Sequence, residues 1–151
     1  MKVKDFMITE VVKVHPETTL RQLLVKLVEH KIGGVPVVDE NNRLAGMVSD
    51  GDVLRFVKPI SAKHNDFFLY YLEWEIHMEE KILSDLEKPV KDCMKRKNLI
   101  TLSQDDDLEE AVTVLSRHHF KKVPVLDNEQ KVVGVISRGD VIRLIVKNWI
   151  M

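Results

Sequence analysis

The sequence predicts a mixed α/β (α+β) protein of two tandem β-α-β-β-α units related by a pseudo-twofold axis, with a helical insert between them. The first sign is a repeat. Gly46-Met47-Val48-Ser49-Asp50-Gly51-Asp52-Val53-Leu54-Arg55 returns 88 residues later as Gly134-Val135-Ile136-Ser137-Arg138-Gly139-Asp140-Val141-Ile142-Arg143. The second is that the same offset carries Val35-Pro36-Val37-Val38-Asp39 onto Val123-Pro124-Val125-Leu126-Asp127. The third lies upstream, where Val3-Lys4-Asp5-Phe6-Met7 returns as Val90-Lys91-Asp92-Cys93-Met94 at an offset of 87. Two copies of one unit imply a pseudo-symmetric object with two equivalent clefts where the copies meet.

Each copy gives the same elements in order. A short extended segment (11–14; 99–102) precedes a helix whose apolar residues Leu20, Leu23, Leu24, Leu27 and Val28 fall at helical spacing, as do Leu108, Ala111, Val112 and Leu115. Thr18 or Thr19, and Asp106 or Asp107, are the candidate N-caps, because their side-chain oxygens can accept from the first free amides. Two β-rich runs follow, 35–38 and 44–48, then 123–126 and 132–136, each pair joined by five polar residues as a hairpin. A final helix opens near Gly51 and near Gly139, glycines that allow close backbone approach or an unusual dihedral.

The units are placed at 1–57 and 89–151, and residues 58–88 match neither copy. Pro59 and Pro89 bracket this insert. Within it Phe67, Tyr71, Trp74, Met78 and Ile82 recur at three and four residues, which predicts one amphipathic helix capped at Asp66. Its aromatics complete the core, or else serve as a dimer contact or as a lid beside a cleft.

Bulk properties narrow the function. Lys plus Arg (23) nearly balances Asp plus Glu (24), so a formal charge of −1 argues against wholesale nucleic-acid binding. No apolar run approaches the ~20 residues of a membrane helix, and the first residues lack the apolar core of a signal peptide. The lone Cys93 can form no intramolecular disulfide, so a cytoplasmic location is the expectation. Sitting where the other copy has Phe6, it reads as a small buried apolar residue.

No enzyme is expected. The six histidines show no zinc spacing, and neither a metal site nor a set of nucleophile, base and oxyanion donors assembles. What remains is a binding site. Ser49-x-x-Asp52 and Ser137-x-x-Asp140 each follow an apolar strand and open a helix, whose N-terminus favours anions. A hydroxyl there can bond a phosphate or sugar oxygen, and an ionised Asp, acceptor only, suits a donor pair such as a ribose diol. Found once, the pattern is an N-cap; found twice at matched places, it becomes a site candidate. Pro36 and Pro124 fix the backbone at the strand entrances. Just ahead of them the copies differ: Ile32-Gly33-Gly34 against Phe120-Lys121-Lys122, and Asp50 is replaced by Arg138. Lys121, Lys122 and Arg138 thus form a candidate phosphate anchor in the second copy alone, which predicts two unequal clefts.

These residues are where a family resemblance becomes visible. The Val-Pro strand and the Gly-x-x-Ser-x-x-Asp element, in this order and spacing in both copies, resemble a tandem CBS-domain protein, a Bateman module. The resemblance implies binding of an adenosine compound, AMP, ADP, ATP or S-adenosylmethionine, with no further cofactor. It places ribose hydroxyls on Asp52 and Asp140, beside Ser49 and Ser137, with Met47 and Asp50 nearby. Adenine would lie against Val14-His15 with Ile32 and Val35, and against Thr101-Leu102 with Phe120 and Val123. A nucleotide with its ribose on Asp52 would set its phosphates on Lys121, Lys122 and Arg138. Gly33 and Gly34 supply no basic group to the Asp140 cleft, which leaves nucleoside binding, weak binding or an empty cleft open there.

The resemblance further implies a homodimer, and the apolar end at 144–151 is consistent with a covered face. The reading reached is a regulatory homodimer that signals adenosine-ligand or energy status to an unidentified downstream protein by a conformational shift. The alternatives are a structural dimerisation module with vestigial clefts, acting through the aromatic insert, and a nucleic-acid-binding module.

Overall fold

The computed structural model of the 151-residue chain describes residues 1–58, 78–117 and 122–151. The first unit comprises α1 (Leu20–His30), β1 (Gly34–Val38), β2 (Leu44–Ser49) and α2 (Asp50–Val57). A helical segment over residues 78–85 (α3) follows. The second unit comprises β3 (Leu102–Ser103), α4 (Leu108–Ser116), β4 (Lys122–Leu126), β5 (Val132–Ser137) and α5 (Arg138–Ile145), with a π-helical turn over Val146–Ile150. The aromatics Phe67, Tyr71 and Trp74 and the cap at Asp66 fall outside the described residues.

Local chemistry explains the boundaries. Thr19, not Thr18, caps α1 by accepting from the Gln22 amide, while Gln22 Oε1 accepts from the Thr19 amide in return. Asp107, not Asp106, caps α4 through the Glu110 amide at 2.9 Å. Asp106 is occupied instead by the Ser103 amide at 2.8 Å. Ser49 and Ser137 close the β-strands and cap α2 and α5, so those helices start at Asp50 and Arg138. Gly51 and Gly139 sit inside the first turn. Of the two alternatives, close backbone approach or an unusual dihedral, the dihedral is absent, since no glycine has a positive φ.

Both hairpins turn on the same device. Asp39 Oδ1 accepts from the amides of Asn41 and Arg43, and Asp127 Oδ1 from those of Glu129 and Lys131. The register matches as well: Gly34 faces Ser49 and Lys122 faces Ser137, with a bulge after Val37 and after Val125. In the first unit the leading segment makes a single parallel bridge, Val14 to Val37. In the second it forms β3 parallel to β4. Pro36 is tolerated within β1 because its carbonyl starts the pairing with that leading segment, accepting from the Val14 amide at 3.2 Å, and nothing there calls on a proline N–H.

The chain segment ahead of each unit belongs to the other one. Val3 lies fully buried in the second core among Leu102, Leu115, Val123 and Ile136, with Phe6 and Met7 packed against it. Val90 is buried in the first core with Leu20, Leu23, Val35 and Val48, beside Cys93 and Met94. Backbone bonds fix the exchange: Val3 N donates to Asp106 O at 2.8 Å, and Val90 N to Thr18 O at 2.7 Å. Isolated bridges follow the same symmetry. Ile8 pairs with Val135 as Lys95 does with Met47, and Lys2 with Asp107 as Pro89 does with Thr19. Arg43 pairs with Lys131, its own equivalent 88 residues on, so the pseudo-twofold axis passes between these two hairpins. A third small core of Val38, Leu126 and Val132 lies there.

The swap explains two glycines inside strands. A Cβ on Gly46 would lie 2.7 Å from the Lys95 carbonyl oxygen, and one on Gly134 would lie 3.0 Å from that of Ile8 and 2.5 Å from Met7 Sδ. Close backbone approach is what the fold requires there. At Gly51 a Cβ would meet only the mobile end of Arg55.

Candidate functional site

The exchange brings each Ser-x-x-Asp helix start against chain from the other unit, and a cleft opens at each junction. The cleft at Asp52 encloses ≈ 420 Å³. Its floor is Gly33, Gly34, Met47, Ser49, Asp50 and Asp52, and the second unit contributes Lys95, Leu99, Ile100 and Lys122. The cleft at Asp140 encloses ≈ 360 Å³ between Val135, Ser137, Asp140 and Arg143 on one side and Ile8, Glu10, Val12, His30, Ile32 and Pro36 on the other. Gly34 and Lys122 border both. Volumes of this order suit a small molecule of nucleotide size.

The two acidic groups are held alike. Asp52 Oδ2 accepts from the Ser49 amide at 2.9 Å and the Ser49 hydroxyl at 3.1 Å, and Oδ1 accepts from Arg55 Nη2 at 2.8 Å. Asp140 Oδ2 accepts from the Ser137 amide and hydroxyl, each at 2.8 Å, and Oδ1 from Arg143 Nη2 at 2.6 Å. The N-cap and the site candidate are therefore the same atoms. Each carboxylate keeps spare acceptor capacity on Oδ1, where an arginine supplies the single donor described.

The sequence-derived residues divide into three groups. Gly33, Met47, Ser49, Asp50 and Asp52 meet Lys122 at the first cleft, while Ile32, Pro36, Ser137 and Asp140 meet it at the second. Val14, Val35, Leu102 and Val123 are core residues and Pro124 is buried, while His15 and Thr101 are exposed, so none of these lines either cleft. His15 Nδ1 lies 3.0 Å from the Val38 carbonyl. Arg138 turns away from the clefts, because the open C-terminal carbonyls of α4 capture it: Nε donates to Leu115 O at 3.0 Å and Nη2 to Arg117 O at 2.9 Å. Phe120 and Lys121 fall outside the described residues.

Residues not singled out from the sequence also line the clefts. Arg55 and Arg143 were visible in the repeated ten-residue string, three residues after each Asp, the spacing that puts both side chains on one helix face. Lys95 and its counterpart Ile8 carried no signal, since only the exchange of segments brings them there.

Charge differs between the clefts. Burial pushes the Lys122 ammonium below its ordinary value, while the Asp140 carboxylate opposes that shift. Cys93 packs against the first core, and burial first, then Asp52 and Asp92, push its thiol up to about 11. The raised value favours the protonated thiol at neutral pH.

Comparison with known proteins identifies the family and the fold. A family model of the CBS domain matches residues 3–59 and 90–147. The chain belongs to the CBS-domain family. As a tandem CBS pair, it is similar to the CBS domain-containing protein CBSX1, chloroplastic, of Arabidopsis thaliana, at 35% identity over 135 residues covering 86% of this chain and 57% of that protein. It is also 32% identical over 142 residues to inosine-5'-monophosphate dehydrogenase of Aquifex aeolicus, covering 94% of this chain and 24% of the enzyme. The chain thus spans between a quarter and just over half of these curated relatives. Among solved structures, CBSX2 of Arabidopsis thaliana in complex with AMP is 30% identical with a TM-score of 0.72, covering 97% of this chain and 96% of that one. Among the described residues no helix is long and apolar enough to cross a membrane.

Proposed function

We propose that this CBS pair is a regulatory module that binds an adenine nucleotide (AMP, ADP or ATP) in the Asp52 cleft. One observation carries the reading: an acceptor-only carboxylate at a helix N-terminus of one unit shares a cleft with two lysines, Lys95 and Lys122, of the other. Asp52 Oδ1, beside Arg55, takes a ribose hydroxyl, since Ser49 already occupies Oδ2. The phosphates extend toward Lys122 and Lys95, which replaces the Arg138 anchor. The similarity to AMP-bound CBSX2 over nearly the whole chain supports the ligand class. A ligand held by both units favours one arrangement of the pair, and that shift is the signal.

Thermal melting tests the reading. At a hundred times its dissociation constant a bound nucleotide adds about 2.7 kcal/mol of stability, so one of AMP, ADP or ATP should raise the midpoint of the chain. S-adenosylmethionine and adenosine serve as comparisons. A midpoint moved only by S-adenosylmethionine would replace the nucleotide, and none moved by any of them would leave an interaction module with vestigial clefts.

The same module pairs with a second copy of itself. Leu54 on α2 and its equivalent Ile142 on α5 are 67% and 59% exposed. A face built from pseudo-twofold-related residues is suited to an isologous contact. Sedimentation should show a dimer that Leu54→Glu with Ile142→Glu reduces to a monomer with an unchanged circular dichroism spectrum. A monomeric wild type would remove the assignment.

A further inference from the structure

Position 34/122 is where the two clefts meet, because Gly34 and Lys122, alone among the described residues, border both cavities. The first unit has no side chain there, and the second has a lysine. Every other described basic residue at the clefts serves one of them: Arg55 and Lys95 the first, His30 and Arg143 the second. The two arginines are already engaged by Asp52 and Asp140. We propose that Lys122 is a phosphate-binding cation shared by the two clefts, so that a phosphate-bearing adenosine compound in one weakens binding of a second in the other. The inference rests on the nucleotide reading above and assigns to it a coupling between the sites.

The chemistry is a matter of charge count. One ammonium neutralises one negative charge, so a second phosphate enters a cleft whose cation is already paired and faces the phosphate across it. Lys122 is half-buried, and its ammonium lies below its ordinary value through lost hydration. A cation that has already shed water gains from the first anion to reach it. The Asp52 cleft also holds Lys95, whereas the matching position in the Asp140 cleft is Ile8. The first phosphate therefore goes to Asp52, and the penalty falls on the second. By linkage the penalty is the same whichever cleft fills first.

Titration calorimetry with AMP and with adenosine tests the coupling on the full chain. Asp52→Ala combined with Lys95→Ala removes both the acidic acceptor and the second cation of the first cleft, so that the Asp140 cleft is measured with the first unfilled. For wild type, the second AMP step should be about tenfold weaker than that isolated affinity, the loss expected when one charged hydrogen bond is given up. Adenosine, which has no phosphate, should show no such gap. Lys122→Gln should weaken AMP in both clefts and abolish the gap. The proposal is overturned if the second AMP step equals the isolated affinity, if the gap persists in Lys122→Gln, or if AMP never enters the Asp140 cleft. Absence of heat from both AMP and adenosine would remove the nucleotide reading and the coupling together, a result distinct from two independent sites.

Discussion

Asp52→Ala is expected to weaken nucleotide binding tenfold or more. A charge-assisted hydrogen bond to a ribose hydroxyl contributes roughly 1.5–3 kcal/mol, and 1.4 kcal/mol corresponds to about a factor of ten. The substitution also removes the reciprocal cap of α2, formed by the Ser49 and Asp52 backbone and side chains, at a cost of about 1 kcal/mol in stability. Asp140→Ala separates the two effects. It removes the matching cap of α5 and leaves the Asp52 carboxylate in place. Its nucleotide affinity at the first cleft should stay within a few-fold of wild type. Equal losses in the two variants would mean that a frayed helix, rather than missing ribose contacts, governs binding.

The largest effect on stability is expected at Asp85, the buried charged residue among those described, at 1% exposure. Its carboxylate joins Lys81 and Lys88, the latter at 2.9 Å. Lys81 also donates to the Phe56 carbonyl at the end of α2, and both ammonium groups lie over the Phe56 ring, at 5.7 and 5.5 Å. The cluster fastens α3 to the first unit. Burial pushes the Asp85 carboxyl up, but the hydrogen bonds and charges of Lys81 and Lys88 outweigh it and hold the group below its ordinary value of 3.8. A lowered folded value means stabilisation that is complete above the unfolded value and is lost as pH falls through the folded one. Asp85→Asn keeps the shape and loses the charge. It should cost roughly 1.5–3 kcal/mol at pH 7, with the partial exposure of both lysines favouring the lower part of that range. The gap to wild type should close as pH falls below about 4. Urea unfolding from pH 7 to 3 measures it; a gap that stayed constant over that range would assign the cost to packing instead.

The repeat carried most of the fold, because an element present twice at one offset is constrained twice. Strands, hairpins and helices followed from apolar periodicity, and the serine caps from their place at strand ends. The exchange of leading segments did not follow. Val3 and Val90 have the same apolar character whichever core they enter, and only the tertiary arrangement decides between them. The same arrangement decides Lys95, which reaches the Asp52 cleft through its backbone pair with Met47. Arg138 shows the opposite failure. Its position beside the cleft was legible, but its direction depends on the carbonyls at the end of α4, which a one-dimensional pattern does not display. Asp85 was hidden for a related reason: it belongs to neither copy, and only the packing of α3 against the end of α2 buries it.

The crystal structure of the chain with a saturating adenine nucleotide tests the central claim most directly. The ribose hydroxyls should lie within hydrogen-bond reach of Asp52 Oδ1, with the phosphates on Lys122 and Lys95 and both units touching the ligand. A nucleotide bound outside the two clefts, or held by one unit with Asp52 still paired only to Ser49 and Arg55, would contradict the account.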